Sequence, residues 1–155
     1  MSLPPPPAGT LLRHATAVSR HGLALLLEGP PASGKSDLAL RLIDRGWLLV
    51  ADDQALLVPE AGGGWSVRAP EALAGLLEVR GVGLVHLPVV PSARALIILD
   101  LAAEPARLPE PAHDAATGLP RLALRPFEAS APLKAERAFA LARAGLDWHA
   151  HGRLG

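Results

Sequence analysis

The residues Gly29-Pro30-Pro31-Ala32-Ser33-Gly34-Lys35-Ser36 set two glycines, a lysine and a hydroxyl at the Gly-x4-Gly-Lys-Ser spacing of a phosphate-binding loop. In such a loop, successive backbone N–H groups and the N-terminus of the following helix point at the phosphates. Lys35 would neutralise the β and γ oxygens, and the Ser36 hydroxyl would ligate magnesium. Pro30 and Pro31 have no N–H to give, but they sit early in the loop and leave the donors to Ala32–Ser36. Of the 15 basic residues, only Lys35 and Lys134 are lysines. A compact ammonium fits a phosphate cradle where a broad guanidinium fork would not. Farther on, Asp52-Asp53 closes an apolar run. Beside a phosphate loop, one of two neighbouring carboxylates can organise the metal while the other accepts a proton from an attacking hydroxyl.

These groups need elements to hold them. Gly22–Gly29 is continuously apolar up to its last two residues, as a strand buried on both faces would be. From Lys35 to Arg45 the residues Leu38, Ala39, Leu42 and Ile43 recur at helical spacing, and Gly46 stands where a helix would stop. Trp47–Ala51 then reads as a second buried strand ending at the paired aspartates. Strand, loop, helix and strand make a βαβ unit, with a parallel sheet expected. Two strands flanking Gly62-Gly63-Gly64 predict a hairpin. Residues 70–77 predict a short helix entered through Pro70, followed by strand in "EVRGVGLVHL" and in Ala95–Leu101. Residues 102–120 predict a long mobile loop. Then come a last strand in "RLALR" and an amphipathic helix over 132–144 stopped by Gly145.

The chain has 155 residues, half of them apolar, which suffices for one domain with its own core. A formal net charge of zero argues against nucleic acid or a membrane surface as partner. The absence of cysteine excludes disulfides and thiol catalysis and fits a reducing compartment. No run approaches the ~20 apolar residues of a membrane span. The expected location is therefore the cytoplasm. Residues 1–11 read as a flexible proline-rich tail, 12–146 as the folded domain and 147–155 as a second tail. His149 and His151 lie in that second tail with Asp147 beside them, too sparse a set for a metal site.

The segment from His14 through "GPPASGKS" to "RGWLLVADD" resembles the catalytic core of bacterial HPr kinase/phosphorylase, which phosphorylates a serine of the phosphocarrier HPr. His14 stands where that family has an active-site histidine. "LLEVRGVG" (76–83) resembles its signature, whose glutamate contributes to magnesium binding. The resemblance implies that Lys35 and Ser36 hold phosphates and metal, that Glu78 joins Asp52 in the magnesium shell, and that Asp53 accepts the proton of the acceptor serine. It also implies that Arg107, with Arg80 as a second candidate, supplies positive charge to the transferring group. Longer members carry an N-terminal domain, whereas here only the proline tail precedes the core. Members active in dephosphorylation carry a "PVRPGR"-like segment. Here Arg125-Pro126 is kept, but Phe127-Glu128 replaces Gly-Arg, exchanging a cation for an anion.

Together these readings predict an α/β P-loop kinase domain with a mixed, mainly parallel β-sheet flanked by helices. Its cofactors would be ATP and Mg2+, its acceptor HPr, and a homo-oligomer is compatible with the pattern. Two other readings stay open: a related kinase with a small-molecule or different protein acceptor, and a nucleotide-binding regulatory module without transfer.

Overall fold

The computed structural model describes residues 3–71 and 74–145. Ten strands and two helices follow one another as β1 (Leu11–Arg13), β2 (Ala15–Arg20), β3 (Leu23–Glu28), α1 (Lys35–Asp44), β4 (Leu48–Ala51), β5 (Ala55–Pro59), β6 (Trp65–Arg68), β7 (Leu76–Val79), β8 (Gly83–His86), β9 (Ala93–Asp100), β10 (Arg121–Ala123) and α2 (Ala131–Arg143). Eight strands form one sheet in the order β1-β5-β6-β9-β3-β2-β4, with β10 joined to β9, while β7 and β8 form a separate hairpin.

The sheet is mixed and flanked by helices, as expected, but its pairings are mostly antiparallel rather than mainly parallel. Only β3–β9 and β9–β10 run parallel within the large sheet. Part of the reason lies in β2, a strand the apolar pattern did not announce, and the rest in the antiparallel run β1-β5-β6-β9. β2 pairs antiparallel with both β3 and β4 and so stands between the two strands of the expected βαβ unit. α1 therefore crosses over one intervening strand. A second departure is the end of the helix expected over 70–77. Leu76 and Leu77 instead begin β7, and Glu78 sits within that strand rather than at a helix end. Gly75, at a φ of 82°, turns the chain just before the strand. Residues 72 and 73, like the tail histidines, lie outside the described residues.

β3 shows why an uninterrupted apolar run was needed. Leu25 and Leu27 pack on the side of α1 and α2, with Leu38, Leu42 and Phe139. Ala24 and Leu26 pack on the other side, with Leu57, Val67 and Ile98. Both faces of the strand are thus sealed, and the loop that leaves its end is held on a rigid stem. α1 buries Leu38, Ala39 and Leu42. α2 is tied to the sheet through Trp47, whose ring meets Phe139 edge to face at 4.7 Å and whose Nε1 donates to Glu136 at 3.0 Å.

Residues 102–120 contain no helix or strand, yet their second half is anchored. Asp114 accepts from Arg13 at 2.8 Å and from the Thr117 hydroxyl at 2.8 Å. Arg13 also reaches Glu28 at 3.0 Å, and Arg121 joins Glu28 at 2.7 Å and Asp100 at 3.0 Å. This network ties the strand ends beside the phosphate loop to the long connection. The hydrogen bond from Arg13 holds the Asp114 carboxyl well below the usual carboxylate range, against the opposing effect of burial. A depressed native pKa stabilises the fold above the unfolded carboxylate value near 4 and loses that stabilisation as pH falls below it. Asp114→Asn should therefore cost about 2 kcal/mol at pH 7. Urea denaturation should show the gap to the wild type narrowing between pH 4 and pH 2.

Candidate active site

The phosphate loop runs between β3 and α1, and close packing explains its glycines. A Cβ at Gly29 would stand 2.4 Å from the Ser33 hydroxyl. Gly34 adopts a φ of 100°, and a Cβ there would meet both Pro126 and Phe127 at 3.0 Å. The first helical hydrogen bond of α1 runs from the Leu38 N–H to the Gly34 carbonyl at 2.9 Å. The amides of Lys35, Ser36 and Asp37 thus precede the helical ladder and are the orphan donors of a helix N-terminus. The Ser33 hydroxyl is buried with no hydrogen-bond partner in the protein. A buried orphan donor inside a ring of forward-pointing amides suits a phosphate oxygen.

Lys35 is buried at 6% exposure, and its ammonium lies 3.1 Å from Asp53 Oδ1. The same nitrogen donates to the Gly29 carbonyl at 2.6 Å and to that of Pro30 at 3.4 Å. The proline-rich start of the loop thus contributes carbonyl oxygens rather than amides. Asp53 has its side chain 62% exposed and a φ of 64°, a left-handed backbone that aspartate tolerates better than most residues.

Asp52 is the junction of the site. Its Oδ1 accepts from Ser36 at 2.7 Å and from Thr16 at 2.8 Å, and its Oδ2 accepts from the Glu78 N–H at 3.0 Å. Thr16, fully buried in β2, in turn accepts from the Asp53 N–H at 3.0 Å. One hydroxyl therefore orients both aspartates. A carboxylate beside a serine hydroxyl is a hard-oxygen donor pair of the kind magnesium takes, with water and substrate phosphates completing its shell. Among the described residues no cluster of three histidine, cysteine or acidic side chains is gathered around a single point. The residues present fit a metal held jointly with a phosphate, not a cage made by protein alone.

A cavity of about 580 Å³ lies over the loop, lined by Pro31–Asp37, Leu40, Asp53, Glu78, Val79, Arg80 and Phe127. It gathers Lys35, Ser36, Asp53 and Glu78, with Asp52 bonded to Ser36 beneath. It does not gather His14, which is exposed at the bend between β1 and β2, or Arg107, which is exposed in the long connection. Of the two arginines weighed for the transferring group, Arg80 is the one that lines the cavity. Sequence reasoning passed over Thr16, since a single threonine in an alternating stretch carries no local signal. It also passed over Arg41, whose guanidinium donates to the carbonyl of Pro126 and, at 3.2 Å, to that of Glu128.

Fold and loop together define a P-loop domain. The chain belongs to the HPr Serine kinase C-terminal domain family, which matches residues 8–95. It is 38% identical over 89 residues to an HPr kinase/phosphorylase of Brevibacillus brevis, a match covering 57% of this chain and 29% of that protein. An HPr kinase/phosphorylase of Leptothrix cholodnii is 44% identical over 78 residues, covering 50% of this chain and 24% of that one. The matched segment thus spans less than a third of these relatives. A solved Hpr(Ser) kinase/phosphatase from Coxiella burnetii superposes with a TM-score of 0.72 at 22% identity, covering 87% of this chain and 97% of that chain. That likeness is one of fold.

Thr16→Val keeps the shape but leaves the Asp53 N–H and one lone pair of Asp52 without their partner. It should cost about 1–3 kcal/mol, as for a buried polar group left unsatisfied. Thr16→Ser should retain most of the wild-type stability. Thermal and urea unfolding of the two variants check this, and a larger loss in Thr16→Ser than in Thr16→Val would assign the effect to methyl packing.

Proposed function

We propose that the chain is a magnesium- and ATP-dependent protein serine kinase whose acceptor is HPr, working in the cytoplasm through a catalytic unit spanning residues 12–146. The observation that carries this reading is one cavity in which the Lys35 ammonium, the Ser36 hydroxyl and the Asp53 carboxylate face the same space, with Asp52 bound to Ser36. Membership of the HPr kinase family supports the choice of acceptor. A homo-oligomer is compatible with it.

The geometry supports the following roles. Residues Ala32–Ser36 would bind the triphosphate through backbone amides, and Lys35 would neutralise charge on the β and γ oxygens. Ser36 and Asp52, with Glu78 near them, would hold magnesium, which when bound neutralises phosphate charge and aligns the terminal group. For Lys35 to reach a phosphate, its ammonium would exchange the contact with Asp53 for one with the ligand. That exchange frees the Asp53 carboxylate to orient the incoming serine hydroxyl and take its proton. Asp53 is exposed enough for a protein acceptor to reach it. Arg80, on the rim, is the cation placed to meet the transferring group. His14 and Arg107 stand outside the cavity and are assigned no step.

The forward direction is favoured over the reverse. Glu128 stands where members active in dephosphorylation carry an arginine, and it pairs with Lys134 at 2.9 Å. Arg125 is itself paired with Glu104. Neither residue offers a free cation to an incoming inorganic phosphate.

Incubation of the purified protein with ATP, magnesium and HPr should yield a phosphoserine on HPr that mass spectrometry locates. Asp53→Asn should keep ATP affinity within about threefold, by loss of a group that contacts the acceptor rather than the phosphates. It should lower the transfer rate by on the order of 10²–10⁴, the usual contribution of a positioned base. Unchanged transfer in that variant would remove Asp53 from its role. Phosphorylation of another acceptor, with HPr untouched, would reassign the substrate.

A further inference from the structure

Phe127 lines the phosphate-loop cavity with 69% of its surface exposed. The chain's other phenylalanine, Phe139, is buried in the core. An exposed aromatic ring on a loose surface turn would mean little, but this turn is built. The guanidinium of Arg41 donates to the carbonyls of Pro126 and Glu128, on either side of Phe127. Arg41 is itself steadied by Asp37 at 2.8 Å, one helical turn earlier. Glu128 is fastened to Lys134 in the first turns of α2. The ring is thereby pressed against the loop: its Cζ lies 3.0 Å from where a Cβ of Gly34 would stand. Leu40 of α1 adds a second apolar surface to the same cavity.

A ligand whose phosphates occupy Ala32–Ser36 can place its next moiety within reach of this ring, which lines the same cavity and abuts Gly34. A flat apolar face beside a phosphate cradle suits a nucleobase, because stacking recovers the exposed area of both partners. Among the described residues, the polar side chains of the cavity offer no dedicated reader of base edges. Asp37 is engaged by Arg41, and Lys35 is engaged by Asp53 and two loop carbonyls. Glu78 and Arg80 line the same cavity from the β7–β8 hairpin, where the proposed function gives them to the metal and to the transferring group. Stacking without edge readout tolerates any base, since every base has a π-face.

We propose that Phe127 is the platform on which the base of a nucleoside triphosphate stacks, and that the site accepts adenine and guanine alike. The proposal rests on reading Gly29–Ser36 as the nucleotide loop. It adds a base subsite built on the turn between β10 and α2.

The test compares magnesium complexes of ATP, GTP and inorganic tripolyphosphate by calorimetry on the wild type, Phe127→Ala and Phe127→Trp. In the wild type, ATP and GTP should bind within about threefold of each other and about tenfold tighter than tripolyphosphate, the scale of one base–aromatic stack. Phe127→Ala should erase that tenfold advantage and leave tripolyphosphate unchanged. Phe127→Trp should restore it, with an indole emission change on adding ATP that tripolyphosphate does not produce. An equal loss for tripolyphosphate in Phe127→Ala would make the ring a packing support of the loop. Unchanged ATP affinity with a raised KM for the protein acceptor would make it a docking residue. Either result overturns the platform. Wild-type protein that binds tripolyphosphate and ATP equally removes the platform alone, whereas protein that binds neither removes the nucleotide loop and the platform with it.

Discussion

The carboxylate of Asp52 holds the site together. It receives two hydroxyls and one backbone N–H from three different elements: Ser36 at the head of α1, Thr16 in β2 and Glu78 in β7. Charge-assisted hydrogen bonds of this kind are among the stronger ones a protein makes, and three on one group leave it few alternative orientations. Because Thr16 also accepts from the Asp53 N–H, the left-handed turn of Asp53 is held by the same junction. That turn directs the second carboxylate into the cavity instead of along the sheet. Such a backbone conformation at a non-glycine residue persists where its surroundings over-determine it.

The rest of the fold supplies a stiff mount for this junction. β3 is sealed on both faces, so the loop at its end starts from a fixed point, and α1 is held by Leu38 and Leu42 against the same core. A layer of ion pairs among Arg13, Glu28, Asp100, Asp114 and Arg121 then clamps the strand ends on the loop side. Glu28, the residue just before Gly29, receives both arginines. Arginine suits this duty because its planar fork can meet two carboxylates at once. The two lysines of the chain are spent elsewhere, one of them in the phosphate loop, where a single compact charge is wanted.

Much of the site was legible in the chain. The spacing of Gly29, Gly34, Lys35 and Ser36 is local, and its chemistry depends on backbone amides that any such loop presents. The apolar runs around it announced β3, α1 and β4 within a residue or two. Thr16, Arg41 and Phe127 were harder, because their importance comes from partners 36, 85 and 93 positions away: Thr16 with Asp52, Arg41 with Pro126 and Phe127 with Gly34. The end of the short helix expected over 70–77 was misjudged for a related reason. Leu76 and Leu77 are as compatible with a strand as with a helix, and pairing with β8 decided between them.

What the chain alone determined, then, was the set of groups available: a phosphate-loop pattern, an ammonium, a hydroxyl beside it and two carboxylates at a strand end. These follow from residue types at short spacing, where covalent connection already limits the geometry. Tertiary structure decided which of the candidates meet. It set β2 between β3 and β4, turned Asp52 under the loop and Asp53 into the cavity, brought Glu78 and Arg80 to the rim on a hairpin, and left His14 and Arg107 outside the cavity lining. Those outcomes depend on strand order and on contacts between distant segments, which are settled by burial of apolar faces across the whole domain and leave no mark on any one stretch of sequence.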